Sequence, residues 1–384
     1  MTDDQFAKPE VGATRRRFIK NAAIVGAAVA APAVVSRKAL SSSGEINVIF
    51  WSDELPDPVN KAFTDATGIK VNFTGFGSNE ELINKLKATN GRGFDIAAPT
   101  ADRAPVWAEL NLLQPIDLKK VPFANLNPAM AKVGEEAWNF NDKGSHWLPH
   151  VWGTEGIAWR TDQFKPAGEF PSYGDVWDDA NAGKTMGRAH SMLLGAGLYL
   201  ERIGQLEPGS MWAAYESEEK MRPVWEKVTD WAISKKKNIK TLWNDADTQK
   251  NALSTGEVIV GQTWDGPPLA LKTAGEPVTY RAPMEGAMAW IDGIAIPVGA
   301  ENLEQAYAFL NWILQPEPQG KAIDKHGYNS AVTGAEKFAG PAYAKNFAEA
   351  YPGDALQKLN PWPPTQPWYS DIRTEYANKF QSAS

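Results

Sequence analysis

Ile46-Asn47-Val48-Ile49-Phe50-Trp51 is a short, mostly apolar run that reads as a buried first strand, and the fold follows from what surrounds it. Downstream, Pro56 to Thr67 carries Val59, Phe63 and Ala66 in helical register and stops at Gly68. Ile69-Lys70-Val71-Asn72-Phe73 alternates as a second strand. Asn79 is expected to cap a helix through Lys87 with Leu82, Ile83 and Leu86 inward, and Phe94-Asp95-Ile96-Ala97-Ala98-Pro99 is a third short strand. Strand, helix, strand, helix, strand at this spacing predicts an open α/β sheet with right-handed crossovers. Ligands of such sheets sit beyond the carboxyl ends of the strands. Those ends are Trp51-Ser52-Asp53-Glu54, Gly75-Phe76-Gly77-Ser78 and Pro99-Thr100-Ala101-Asp102.

A second region begins near Leu148-Pro149-His150-Val151-Trp152-Gly153-Thr154-Glu155-Gly156, a crossover strand. It continues through a helix-rich stretch from Leu193 to Lys237 and the strand Glu257 to Gln262, followed by Trp264-Asp265-Gly266. The chain crosses back through Ala289-Trp290-Ile291-Asp292-Gly293-Ile294-Ala295-Ile296-Pro297. Residues i and i+2 of an extended chain share a face, so Trp290 and Asp292 place an indole and a carboxylate on one surface. That pairing suits a cationic guest, although a buried Trp beside a strand-end Asp reads equally well. Trp next to an acid recurs at Trp51-Ser52-Asp53-Glu54 and Trp264-Asp265. Asn302 is expected to start an amphipathic helix, and Gly327-Tyr328-Asn329 to be a third passage between the halves. The tail Pro361 to Tyr369 is too Pro-rich for regular structure; its aromatics either close over a cleft or staple the C-terminus.

The 384 residues suffice for about two domains. Sixteen Trp exceed ordinary core needs, and Trp is favoured where a wet apolar surface grips a guest. The absence of Cys excludes disulfides, thiolate metal sites, a Cys nucleophile and a lipid-anchoring Cys. Thr14-Arg15-Arg16-Arg17-Phe18-Ile19-Lys20 matches the twin-arginine export pattern. A weakly apolar run from Ala22 to Ala31 and the small-residue site Ala31-Pro32-Ala33 follow it. The run is shorter than the roughly 20 residues of a membrane span. A cleavable signal over residues 1–33, a linker over 34–45 and a periplasmic destination are expected. Residues 1–33 hold five basic and three acidic side chains, so their removal makes the net charge of −7 two charges more negative. An acidic body argues against nucleic acid and mildly for a cationic guest.

No enzyme signature emerges: no G-x-S-x-G elbow, no phosphate-binding Gly-Lys loop, no H-E-x-x-H helix. His146 and His150 are four apart, but Pro149 disfavours the helix that would align them on a metal. No metal, cofactor or catalytic residue is expected. A carboxylate-based periplasmic glycosidase is the alternative from a different class, since Trp-rich walls also suit sugars.

With these pieces in order, the sequence resembles the periplasmic spermidine/putrescine-binding proteins of ABC transporters. The resemblance runs from about Ile46 to about Tyr369. It is carried by Phe50-Trp51-Ser52-Asp53-Glu54, Thr67-Gly68-Ile69-Lys70-Val71, Ser78-Asn79-Glu80, Phe94 to Pro99, Val151-Trp152-Gly153-Thr154 and Trp290 to Pro297. It implies a two-lobed, type II periplasmic-binding-protein fold, each lobe an open α/β sheet, with the ligand in the interlobe cleft and a hinge closure. The lobes are expected at 46–150 plus 292–325 and at 151–291 plus 326–384. The implied partners are a small amine or polyamine and an inner-membrane permease; a monomer is expected, since the lobes must move and the sequence has no coiled-coil repeat. Trp51 and Trp264 match aromatics that contact the polyamine chain, and Trp290 and Asp292 match the central Trp and the amine-binding Asp. Thr100 falls at a cleft hydroxyl and Tyr328 at a cleft tyrosine. Asp53 and Glu54 stand where the family has an acid followed by an aromatic.

The departures concern charge. After Gly183-Lys184-Thr185-Met186 the family carries two amine-binding carboxylates, whereas here the segment is Gly187-Arg188-Ala189-His190-Ser191. A buried ammonium needs a partner. Either Asp102, Glu155 or Asp265 replaces the missing acids, or the guest has fewer amines. Arg188 or His190 could instead face a carboxylate, which would favour a zwitterionic amino acid or betaine-like solute.

Overall fold

Ile46, Val48, Ile49 and Phe50 are fully buried in strand β1 (Glu45–Trp51), because helices cover both faces of the sheet it centres. The computed structural model describes residues 44–383; the expected export signal and most of the linker lie outside the described residues. Helix α1 (Asp57–Thr67) buries Val59 and Phe63 and ends at Gly68, whose φ of 79° is the left-handed value an ordinary side chain disfavours. Strand β2 (Lys70–Phe76) and the short β3 (Ile96–Ala97) flank β1 in parallel. Helix α2 (Asn79–Thr89) between them is capped by Ser78, whose Oγ accepts from the Glu81 amide at 3.1 Å. Asn79, expected as that cap, lies inside the first turn and sends its side-chain amide to the Thr100 hydroxyl instead. Leu113–Gln114 form β4.

The second sheet is built on β5 (Leu148–Arg160), a strand of thirteen residues. After it come β6 (Thr185–Gly187), α3 (Ala189–Arg202), α4 (Glu218–Ser234), β7 (Ile239–Leu242), β8 (Val260–Trp264), α5 (Gly266–Thr273), β9 (Val278–Arg281) and β10 (Met288–Ile294). Strands β11 (Ile296–Pro297), β12 (Asn329–Ser330) and β13 (Asn360–Pro361) follow, and the strand order of this sheet is β13-β10-β5-β8-β6-β7 with β12 and β9 also paired to β5. The Ile296–Pro297 strand pairs with β4 in the first half.

Strands β5 and β10 run antiparallel from one core to the other. Leu148 and Ile294 pack with Val48 and Phe50, while Ile157, Trp159 and Met288 pack with Leu193 and Trp225. These two strands therefore tie the halves together and carry residues 149–155 and 289–293 through the space between them. Helices α6 (Leu303–Ile313) and α7 (Pro316–His326) return to the first core. Val332 and Ala335, expected in the second lobe, also lie in that first core, because Val332 bridges to Leu126 and residues 335–338 lie against α7. The Pro-rich tail is more regular than expected: Pro367 opens helix α8 (Pro367–Ser382), since a first-turn proline loses no helical hydrogen bond. Among the described residues no helix is long and apolar enough to cross a membrane.

Candidate ligand-binding site

Beyond the carboxyl end of β1, the chain turns at Asp53 and Glu54 and brings both acids to a cavity between the two sheets. About 610 Å³ of space outside atoms lies within and in front of it, open solvent included. Ten of the eleven residues singled out in the sequence line it: Trp51, Asp53, Glu54, Thr100, Asp102, Glu155, Trp264, Trp290, Asp292 and Tyr328. Strand alternation delivers Trp290 and Asp292 to the same wall, as their two-residue spacing requires. Close approach at Gly153 makes room for the indole: a Cβ there would lie 2.4 Å from the Trp290 ring.

Asp265 is the exception and the correction. It is 0% exposed and absent from the cavity wall. Its carboxylate accepts from the Thr154 amide at 3.1 Å, Asn329 Nδ2 at 3.1 Å and the Tyr351 hydroxyl at 2.7 Å. Trp264 ends β8 facing the cavity, so the next residue points the other way into a polar network. Burial pushes the Asp265 carboxyl up to about 7, against the pull of those donors.

The acidic wall is centred on Glu54 and Asp292, 1% and 4% exposed. Burial and the neighbouring Asp292 carboxylate drive the Glu54 carboxyl well above the usual range. Burial pushes Asp292 up to about 7, moderated by the Glu54, Thr100 and Trp51 side chains. The pair therefore shares a proton near neutral pH. Glu54 Oε2 and Asp292 Oδ1 are buried with no hydrogen-bond partner. Asp53 accepts from the Tyr328 hydroxyl at 2.6 Å, and burial raises its carboxyl. Tyr328 packs edge-on to Trp290 with ring centres 5.1 Å apart, and Trp51 meets Trp264 edge-on at 5.8 Å. Carboxylates beside ring faces make a receptor for a protonated amine with an apolar stem.

The two other acids proposed as replacements already have partners. Asp102 Oδ2 accepts from the Thr365 hydroxyl at 2.8 Å and pairs with Arg103 at 3.2 Å. Glu155 accepts from Gln262 Nε2 at 2.7 Å, and burial raises its carboxyl.

Another part of the lining is basic. Arg103, Arg188, His190 and Arg373 line it together with Glu80, Asn79 and Trp362. Burial pushes Glu80 upward, yet the guanidiniums of Arg103 and Arg373 hold it at about 2. Arg188 and His190 stand out in the sequence as a departure from the resemblance, but Arg373 and Trp362 carry no local signal. They arrive because β13 pairs with β10 and α8 packs on α3 and α4. The tail thus both closes the cavity and anchors the C-terminus. Among the described residues no group of three or more His, Asp or Glu is placed to hold a metal. His150 is a buried strand residue held by Gln319, apart from His146, which contacts the Gly144 carbonyl.

Comparison with known proteins agrees with this geometry. Residues 59–350 match the family model for bacterial extracellular solute-binding proteins. The spermidine/putrescine-binding periplasmic protein of Escherichia coli K12 is 26% identical over 339 residues, covering 86% of this chain and 90% of the relative. A putative spermidine/putrescine ABC transporter structure from Listeria monocytogenes superposes with a TM-score of 0.73 at 22% identity, covering 89% of this chain and 100% of that one. The MotA protein of Agrobacterium tumefaciens B6, in complex with glucopine, superposes with a TM-score of 0.67 at 17% identity, covering 88% and 99%. The type II periplasmic-binding-protein fold is therefore shared across proteins with differently named guests.

Proposed function

The chain belongs to the bacterial extracellular solute-binding proteins, substrate-binding components of ABC transporters, and from that premise we propose that its solute is a small protonated amine. The observation that carries this reading is the buried Glu54–Asp292 pair, with one oxygen of each lacking a partner beside Trp51 and Trp290. An ammonium supplies the missing donors and the missing charge together, and it displaces the shared proton. Trp51, Trp264 and Trp290 take the alkyl carbons. Putrescine and spermidine, which the relatives' names carry, are the reference guests.

Closure of the half built on β1, which also takes up Val332 and Ala335, onto the half built on β8, about β5 and β10, encloses the guest and offers a new outer surface to an inner-membrane permease. Delivery to the periplasm by the twin-arginine route rests on the Arg15-Arg16 motif; Arg15→Lys with Arg16→Lys is expected to leave the precursor unexported. The glycosidase alternative loses ground. The matching family is one of solute-binding proteins, and the curated relative is named for binding rather than hydrolysis.

Isothermal titration of the purified protein with putrescine, spermidine and other primary amines tests the reading. Binding that falls at least tenfold in Asp292→Asn is expected; amine binding indifferent to that substitution removes the pair from the site.

A further inference from the structure

The charges on the basic wall are not equivalent. Arg103 donates to Ser370 Oγ at 2.8 Å and pairs with Glu80 and Asp102, each at 3.2 Å. Arg373 pairs with the same Glu80 at 3.4 Å. Those two guanidiniums and two carboxylates offset one another and hold the tail across the cavity mouth.

Arg188 is different. It is buried, its Nη2 donates to the neutral carbonyl of Gly77 at 2.9 Å, and its Nε meets no acceptor. The indoles of Trp264 and Trp243 lie beside it at 5.4 and 5.8 Å, fixing the plane of the guanidinium. Glu155 is the acid that acts on it most strongly, but that carboxylate is taken up by Gln262, and burial favours its neutral form. Burial lowers Arg188 to about 10, which leaves it charged at neutral pH.

A second feature points the same way. Arg188 is the N-cap of α3, a helix of fourteen residues, and no side chain caps that end. The first turn of α3 carries no acid. His190 in that turn lines the cavity and is held neutral by burial and by Arg373, Arg188 and Arg103, so its ring offers a donor without a charge. A buried guanidinium with an unpaired donor, set on an uncapped helix N-terminus, is a receptor for an anion.

We propose that the solute carries a carboxylate at the end remote from its amine, so that the site takes an ω-amino acid in preference to a diamine, with Arg188 receiving the carboxylate. The inference rests on the amine reading of the Glu54–Asp292 wall and narrows its substrate class. A diamine would set its second ammonium against Arg188, where like charges repel and the Nε donor stays unpaired. Arg188 is thus the specificity-determining residue of the site.

Titration calorimetry with 4-aminobutanoate, 5-aminopentanoate and 6-aminohexanoate, against the diamines of matching length and 5-aminopentanamide, tests this on the unmodified protein. The expected result is at least tenfold tighter binding of one amino acid than of its diamine and of its amide. In Arg188→Gln the amino acid is expected to weaken at least tenfold while the diamine does not. The ligand-side comparison stands on its own if that variant fails to fold. Diamines binding more tightly than every amino acid would overturn the inference and leave the amine reading intact. Failure of both classes to bind would overturn both.

Discussion

The Tyr328 hydroxyl donates to Asp53 Oδ2 at 2.6 Å, joining the passage after α7 to the turn after β1. Tyr328 is 1% exposed, and its ring also braces Trp290, so one side chain orients a carboxylate and an indole of the same wall. In Tyr328→Phe the ring packing survives and the hydrogen bond is lost. A bond to a charged group contributes about 1.5–3 kcal/mol. The ligand-free protein is therefore expected to lose stability of that order, and amine affinity to fall as Asp53 loses its orientation. Calorimetry beside a thermal melt checks this, and unchanged affinity would show that Asp53 does not need its orientation.

The Glu54–Asp292 pair makes binding proton-linked. With Asp292 at about 7 and Glu54 driven well above its usual range by burial and by Asp292, the ligand-free pair holds a proton near pH 7 that an ammonium expels. The ionised form binds, so affinity is expected to rise with pH between about 6 and 8. The binding enthalpy in phosphate and in Tris should differ by the buffers' ionisation heats times the protons released. Asp292→Asn should change that difference; an unchanged difference would assign the proton outside the pair.

Burial raises Asp265 and Asp292 from an ordinary 3.8 to about 7 in the folded chain, so the folded state binds more protons than the unfolded one over that window. Stability is lost as pH rises through it. The buried histidines work in the opposite sense below 6.5: His150, lowered to about 3, and His146, His190 and His326 cost stability as pH falls. Above pH 6.5 the acids dominate. The ligand-free protein is expected to lose about 1–2 kcal/mol between pH 6.5 and 8. Denaturant unfolding at the two pH values measures it, and Asp265→Asn should make the loss smaller.

Gly153 lies opposite Trp290 across β5 and β10, where a methyl would meet the indole at 2.4 Å and Asp265 Oδ1 at 2.6 Å. Gly153→Ala is expected to destabilise the fold by about 1–3 kcal/mol and to displace Trp290 from the cavity wall. Loss of amine-induced quenching of tryptophan fluorescence would report that displacement. A variant with normal stability and affinity would show that β5 can give way.

The strand and helix pattern of the first half was legible because periodicity is a local property: Ile46 to Phe50 and the Val59, Phe63 spacing each declare a buried face within a few residues. The i, i+2 rule also placed Trp290 with Asp292, and applied to Trp264 and Asp265 it separates them, as the structure does. Whether an inward carboxylate meets a guest or a neighbour is not local. Asp265 lies in a network because Tyr351 and Asn329, far along the chain, fold against it, while Glu54 and Asp292 each keep one oxygen without a partner. Trp362 and Arg373 reach the cavity only through the pairing of β13 with β10. The sequence by itself determined the two α/β sheets, the aromatic and acidic character of the cleft and the presence of an arginine in place of expected acids. Only the tertiary structure decided which charges cancel and which stay available, because neutralising a buried charge takes a partner delivered through space.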